Sequence, residues 1–531
     1  MATGNVTNET LALLKAAQAD PNLDIQKAWN QSNSAVGGIT AYDLEKPAKL
    51  LYPVITPLRN RIPRVSGKGG IQANWRGIVG LNANSIGGAV ADGIRNAFVQ
   101  TTTRDFIAAY KQIGLEDYVT FGADLAAQGF DDLKALSVRN LLWATMIQEE
   151  IYTLGGVGTQ ALATVTPTPS LAVAAAANPA GSLTSASTYS VRCVALTLDG
   201  YMRASVANGL PGQITFTTAD GTGGQTYNAG CCKVSAAATL AATATGIINA
   251  RVAAVPGAVA YAWFWAVSGT AGSEVLGAIT TTPYYSITAA ASGTQTAANI
   301  PGYGGNVANA ADYSQNSNSF DGILTMCALS TYQPNVTVMG SPTAPGPWTQ
   351  MPVPAVDGTT GVYDVSTLTA DGDGGIVEID AILKWFWDTY RLSPTSMYVS
   401  SQEQTNMGKK VLNSNAGNSN SRFIFESKDG MITGGYILKS YTNKYTMTGN
   451  KDIPVFLHPN MPAGTILFYT DILPYPLSNV SNVLQYRVLR DYYQIEWPLR
   501  TRRYEYGVYL HSVLQNYFPP AFAVLSGIQN G

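Results

Sequence analysis

The sequence predicts an α+β protein of several lobes carrying an inserted all-β sandwich, and three observations lead there. Two helical periodicities stand well apart in the chain. Proline- and glycine-punctuated segments, suited to extended strands and turns, occupy both ends. Between the helices, Val157 to Ala311 holds only seven charged residues: Arg192, Asp199, Arg203, Asp220, Lys233, Arg251 and Glu274. With 531 residues the chain is too long for one core.

The first segment, 1–65, reads as an extended N-terminal arm. Leu11, Leu14, Ile25 and Trp29 suit short amphipathic turns, while Pro47, Pro53, Pro57 and Pro63 each remove an N–H and bias the preceding residue away from helix. Alone, such an arm buries too little to offset its ordering entropy, so it is expected to lie across a neighbour. Residues 66–116 are glycine-rich with β-branched residues between, the pattern of a long two-stranded hairpin, which is not stable by itself. Residues 117–156 carry the clearest helix. Asp131 and Asp132 suit its N-terminus, Leu133, Leu136, Trp143, Ile147 and Ile151 recur at near-helical spacing as its expected buried face, and Gly155-Gly156 ends it.

Residues 157–311 are dominated by Ala, Thr, Ser, Gly and Val. Alternations such as Thr188–Val194 and Ala260–Trp265 predict half-buried strands of one β-sandwich, or two small ones. Beyond Asp312, Ser319–Pro334 predicts a helix and turn, and the proline-rich Ser341–Asp373 a loop or edge strand. A second helix follows, with Ile376, Ile379, Leu383, Phe386 or Trp387, and Tyr390 on one face and an Asp380–Lys384 pair on the other. Asp373 is expected to cap it. Thr395–Ser400 reads as a buried strand, Gln402–Leu412 as a helix, and 413–450 as a flexible loop.

The tail, Asp452–Phe522, alternates short apolar runs with Pro454, Pro459, Pro462, Pro474 and Pro476. Arg487, Arg490, Arg500, Arg502 and Arg503 then interleave with Tyr486, Tyr492, Tyr493, Trp497, Tyr504 and Tyr506, with Asp491, Glu496 and Glu505 among them. Arg, Tyr and Trp anchor protein–protein contacts. Packing within the domain and contact with DNA are the other readings of this cluster. Arg487, Arg490, Tyr492, Tyr493, Trp497, Arg500, Arg502, Arg503 and Tyr504 are therefore candidate inter-subunit contacts.

The "MPAGTILF" turn, the "LPYP" pair, the stretch RVLRDYYQIEWPLRTRRYEY and the close LQNYFPPAFAVLSGI together resemble the major capsid proteins of tailed bacteriophages, the Hong Kong 97 fold. The resemblance covers roughly 1–156 and 312–531. It implies an N-arm (1–65), an E-loop hairpin (66–116) with Lys68, Trp75, Arg76, Arg95 and Arg104 as candidate contacts, and a spine helix of the P domain (117–156). It also implies that 312–531 form the A domain and the return strands of the P domain, with the loop 413–450 near a symmetry axis. The insert 157–311 resembles an immunoglobulin-like or fibronectin type III-like module and is expected to face outward.

The function implied is assembly of hexamers and pentamers into an icosahedral head enclosing double-stranded DNA in a virion built in the host cytoplasm. Expected partners are the chain itself, a portal, scaffold or decoration proteins, and DNA bound non-specifically. A tail-tube, sheath or adhesin protein and an encapsulin-like shell are the alternatives.

The residue inventory fits that reading. Charged residues make up 12% of the chain, low for a dispersed monomer, and the net charge of −2 lacks the basic excess of a dedicated nucleic-acid binder. No run is apolar enough to span a membrane, and the first residues lack the basic region of a secretory signal. Cys193, Cys231, Cys232 and Cys327 have neither disulfide-framework nor zinc spacing, so reduced thiols are expected. The two histidines, His458 and His511, form no recognisable catalytic set. Asp371-Gly372-Asp373-Gly374-Gly375 lacks the later ligands of an EF-hand. No enzyme activity, metal or cofactor is expected, and Lys68 has no identifiable cross-linking partner.

Overall fold

The computed structural model describes residues 51–81, 88–128, 132–162, 166–179, 181–218, 223–267, 272–300, 312–334, 336–372, 374–412, 438–447, 451–475 and 478–529. Most of the arm 1–65, including Leu11, Leu14, Ile25, Trp29 and Pro47, lies outside them, as do Asp131, Asp373 and most of 413–450. In chain order the first elements are α1 (Pro57–Arg61), β1 (Arg64–Ser66), β2 (Gln72–Leu81), β3 (Thr101–Ala109), β4 (Lys111–Thr120), α2 (Phe121–Ala127) and α3 (Leu133–Gly155). Then come β5 (Ser170–Val173), β6 (Thr188–Leu196), α4 (Leu198–Arg203), β7 (Gln213–Thr217), β8 (Gly224–Asn228), β9 (Ala238–Ala241), β10 (Ile248–Arg251), β11 (Ala260–Val267), β12 (Val275–Thr280) and β13 (Tyr284–Ile287). The chain continues with α5 (Ile323–Ala328), β14 (Met339–Gly340), β15 (Trp348–Gln350), α6 (Val377–Tyr390), β16 (Ser396–Val399) and α7 (Ser401–Leu412). It closes with β17 (Ser440–Asn443), β18 (Lys451–Leu457), β19 (Ile466–Tyr469), β20 (Leu484–Glu496), β21 (Arg503–Asn516) and β22 (Ala523–Ser526).

The result is a mixed α and β molecule. A seven-stranded sheet, ordered β14-β15-β22-β19-β16-β18-β17, carries the main core. β16 and β19 are buried along their whole length. Ile379, Ile382, Leu383 and Phe386 of α6 and Met407 of α7 join their core. A four-stranded sheet, β1-β20-β21-β4, extends from this core, and α3 runs along it.

β5, β10 and β13 form a three-stranded sheet, and β12-β11-β6-β9 a four-stranded one. Tyr189, Val191, Cys193, Tyr261, Trp263 and Trp265 of the larger sheet meet Ile248, Ala250 and Ile287 of the smaller in one apolar core. The intervening residues, Val194, Leu196, Ala260, Ala262 and Phe264, point the other way into a second core with Ala204, Leu210, Cys231, Val234, Ala297 and Ile300. Nearly all of β6 and β11 is therefore buried on both faces rather than half-buried, because these last residues cover the outer face. Within this region Arg192 and Glu274 form a buried pair at 2.9 Å. All four cysteines are buried and unbridged, and burial pushes the Cys231 thiol up to about 12.

The two chain passes that bound the β-rich region lie side by side. Asp321 Oδ1 accepts from the N–H groups of Gly158 and Thr159, at 2.7 and 3.0 Å, and Asp321 Oδ2 takes the hydroxyls of Thr159 and Tyr332. A Cβ on Gly158 would sit 2.3 Å from the Ser319 carbonyl oxygen, so glycine there permits the two chain passes to touch.

Several expectations are corrected. Pro57 opens a helical turn rather than prolonging an extended path, since proline suits the first helical position. The hairpin pairing ends at Ala109, and Lys111–Thr120 joins β21 instead. Ile376, not Asp373, holds the N-cap position of α6. Asp380 engages Tyr441 and Lys444, at 2.7 and 2.8 Å, across the sheet edge rather than Lys384. The end of the predicted loop 413–450 is a strand, β17.

Candidate assembly surfaces

The long helix decides what the chain covers itself and what it leaves open. Asp132 caps α3 by accepting from Lys134 and Ala135 N–H, both at 3.1 Å. The buried stripe runs Ser137, Leu141, Thr145, Glu149, Glu150, Thr153 and Leu154. Leu133, Leu136, Trp143, Ile147 and Ile151, expected to be that face, are instead half-buried on its flanks. The polar stripe is tolerable inside because most of its polar atoms are satisfied: Thr145 and Thr153 donate to carbonyls one turn back, and Thr153 meets the hydroxyl of Tyr486.

Glu149 and Glu150 form the polar centre of the molecule. Glu150 is fully buried and accepts from Leu58 N–H (2.9 Å), Arg59 N–H (2.7 Å) and pairs with His458 Nε2 (2.7 Å). The two amides lie in the first turn of α1, where a carboxylate is favoured. Glu149 Oε2 takes Arg59 Nε at 2.9 Å, the Arg64 guanidinium and the Tyr492 hydroxyl. Arg61 reaches Asp471, Ser396 Oγ and Tyr398 Oη. Burial acts to lower the pKa of Arg59, but Tyr492 and Glu149 outweigh it and hold the guanidinium above its usual range. Burial and Glu149 push the Tyr492 phenol up. Sequence reasoning missed these carboxylates. The available signal was two adjacent acids between Ile147 and Ile151 with no base within a turn on either side.

The tail candidates separate into groups. Tyr492 faces α3 and stacks with Arg59 and Arg64, whose guanidinium carbons lie 5.1 and 5.2 Å from its ring centre. Arg490 covers Tyr493 at 4.0 Å, and Tyr493 Oη meets His511 Nε2 at 2.9 Å. Burial and Arg490 lower the pKa of His511. Tyr509 lies flat across the sheet: a Cβ on its neighbour Gly114 would be 2.1 Å from the ring. Arg503 pairs with Glu505 and covers Tyr118 at 4.8 Å, while Tyr504 packs on Phe121 and beneath Lys134. The backbone N–H of Trp497 donates to the Glu505 carbonyl, Arg487 Nη1 reaches Ser66 O at 3.4 Å, and Arg500 and Arg502 are exposed at the β20–β21 turn. Most of these side chains thus have partners within their own chain. Of the acids weighed as tail partners, Glu505 serves Arg503 in the tail, while Asp491 serves Arg64.

β2 and β3 present a different surface. Their hairpin pairs from Gln72↔Ala109 to Leu81↔Thr101. Trp75 stacks on Phe106 and meets Tyr517 at its base. Arg76 is exposed and paired with Asp105, Arg104 covers Phe106, and Lys68 and Arg95 are exposed. Ile71, Ile78, Val79, Val90, Ile94, Phe98, Val99 and Ile107 are 50–85% exposed. Among the described residues, no group of three or more His, Cys, Asp or Glu is placed to hold a metal, and no helix is long and apolar enough to cross a membrane.

No family model matches the chain, and no curated protein matches it. Several solved structures do show similarity. The capsid of a native GTA particle is 8% identical, with 94% of this chain and 100% of that one covered and a TM-score of 0.41. The satellite phage P4 procapsid including size determination (Sid) protein gives 9% identity, 91% and 94% coverage and a TM-score of 0.33. Mycobacterium phage Patience gives 8%, 89% and 83%, and 0.31. These likenesses are distant, so the functional reading rests on the geometry of this chain.

Proposed function

We propose that this chain is the major capsid protein of a tailed bacteriophage, built on the Hong Kong 97 plan and acting by self-assembly rather than catalysis. Its β2–β3 hairpin is read as the E-loop, α3 as the spine helix of the P domain, and the seven-stranded sheet with α6 and α7 as the A domain. The double-sheet region is read as an outward-facing immunoglobulin-like insert. Hexamers and pentamers, packaged DNA, a portal and scaffold or decoration proteins follow from that plan. The Arg/Tyr tail is read as subunit contact through the groups left at its surface, chiefly Arg500 and Arg502.

One observation carries the proposal: the hairpin exposes eight large apolar side chains that no other described residue of the chain covers. A two-stranded ribbon of that kind is unstable in water alone and is stabilised when a partner buries its apolar face. The low overall charge favours the same partner, another copy.

The test is electron microscopy and light scattering of the expressed chain and of an Ile94→Asp/Phe98→Asp variant. Closed particles of uniform size are expected from the parent chain, and soluble small species from the variant. Tubes from the parent chain would favour a tail protein. Unchanged particles from the variant would sink the role given to the hairpin.

A further inference from the structure

We propose that residues 56–66 form a detachable strap, latched by Glu149 and Glu150, that opens as one unit while the body stays folded. Every anchor lies in this short continuous stretch. Leu58 and Ile62 are buried, Arg59 and Arg64 converge on Glu149, and Arg61 on Asp471. Glu150 holds the backbone directly through the amides of Leu58 and Arg59.

The remaining backbone attachment is slight. β1 pairs with β20 over only Arg64↔Tyr486, Val65↔Arg487 and Ser66↔Val488, as the edge strand of its sheet. Tyr486 N–H to Pro63 O and Gly67 N–H to Val488 O flank that ladder. Both sides of the stretch are poorly held. Leu51 and Ile55 upstream are about half exposed, and downstream Gly69 and Gly70 adopt φ of +91° and +87° before the exposed Ile71. Those two glycines supply a hinge that other residues would resist.

The latch itself is poised. Among the described residues no group donates to the buried Glu149 Oε1, which is a cost to the closed state. Opening lets water reach that oxygen and releases the strap guanidiniums together. Local openings of this type are drawn from segments with few backbone bonds to the body, while the core strands open only globally.

The strap carries its own reporters, among them the tryptic bonds Arg59–Asn60 and Arg61–Ile62. In the full chain, hydrogen exchange at Leu58 and Arg59 amides should proceed while Ser396–Val399 and Ile466–Tyr469 remain protected. Glu150→Gln should raise cleavage at both bonds by at least about tenfold, the effect of one lost bond to a charged acceptor. Tyr492→Phe, which removes a donor to Glu149 without changing charge, should raise it less, and it serves if Glu150→Gln does not fold. Exchange of the strap and the core strands at one common rate in the parent chain would overturn the proposal. So would parent-like cleavage in the variants. Because the chain's assembly is not read in this experiment, its failure leaves the shell reading untouched, and the reverse holds too.

Discussion

Gly114 shows how a single residue constrains this molecule. Its missing side chain is the space in which Tyr509 lies flat, with Tyr493 and Glu116 holding that ring from two sides. Gly114→Val should displace Tyr509 and lower stability by about 2 kcal/mol, as overpacking does, measured as a drop in the urea midpoint. Gly114→Ala should cost less, and equal midpoints for Gly114→Val and the parent would show that the ring moves freely. Gly114 read only as part of a hairpin in the sequence. Its partner lies nearly four hundred residues away, |i−j| being 393 for the neighbouring Tyr509–Glu116 contact.

Arg192 and Glu274 make the same point with charge. Burial pushes the Glu274 carboxyl up, but Ser190, the backbone and Arg192 outweigh it and hold it below its ordinary value of 4.5. A carboxyl lowered by folding contributes stability above its unfolded pKa and loses it as pH falls through the folded one. The β-rich region should therefore weaken below about pH 4.5. Arg192→Met should cost about 3 kcal/mol at neutral pH by leaving the carboxylate unpaired. A thermal melt of Arg192→Met matching the parent at pH 7 would contradict this. Both residues were visible as rare charges in a charge-poor stretch, though nothing in their spacing paired them.

At the scale of elements, α3 is the instructive case. Its length, its N-cap at Asp132 and its stop at Gly155-Gly156 are local signals, and the structure places a helix at Leu133–Gly155. Its orientation is not local. Leu133, Leu136, Trp143, Ile147 and Ile151 form the more apolar pattern, yet the chain buries the stripe containing Ser137, Thr145, Glu149 and Thr153. Hydrophobicity alone would turn the helix the other way. The strap arginines and Tyr492 decide otherwise, because a carboxylate pair inside the fold is stable only where cations and N–H groups converge on it. β6 and β11 differ from expectation for a related reason. Alternation along a strand reveals one buried face, and residues outside these strands, Leu210, Val234, Ala297 and Ile300 among them, bury the other.

At the scale of the whole molecule, the β-rich region meets the body at its two joined ends and along residues 358–363. Asn316 N–H donates to Val157 O at 2.7 Å, and Asp321 ties Gly158 and Thr159, so the two ends of the region adjoin. Deleting Thr159–Asn309 with a short linker should leave a folded body, since adjoining ends let the remainder close. That body should melt lower than the parent, because Leu198 and Val259 belong to the main core and Asn249 reaches Gly361 O at 2.9 Å. Calorimetry checks both parts. An unfolded deletion variant would show that the region is an integral part of the body.

By itself the sequence determined the mixed α and β class, the long helix and its ends, the strand-rich character of 157–311 and the proline-paced tail. Each is written in neighbours within a few turns or strand repeats, where sterics and periodicity act. The tertiary structure alone decided which face of α3 is buried, that residues 56–66 pack on their own chain, and that most of the Arg/Tyr tail is satisfied internally. Those outcomes depend on contacts between residues 85 to 433 positions apart, whose energies come from burial and charge pairing that no local pattern encodes.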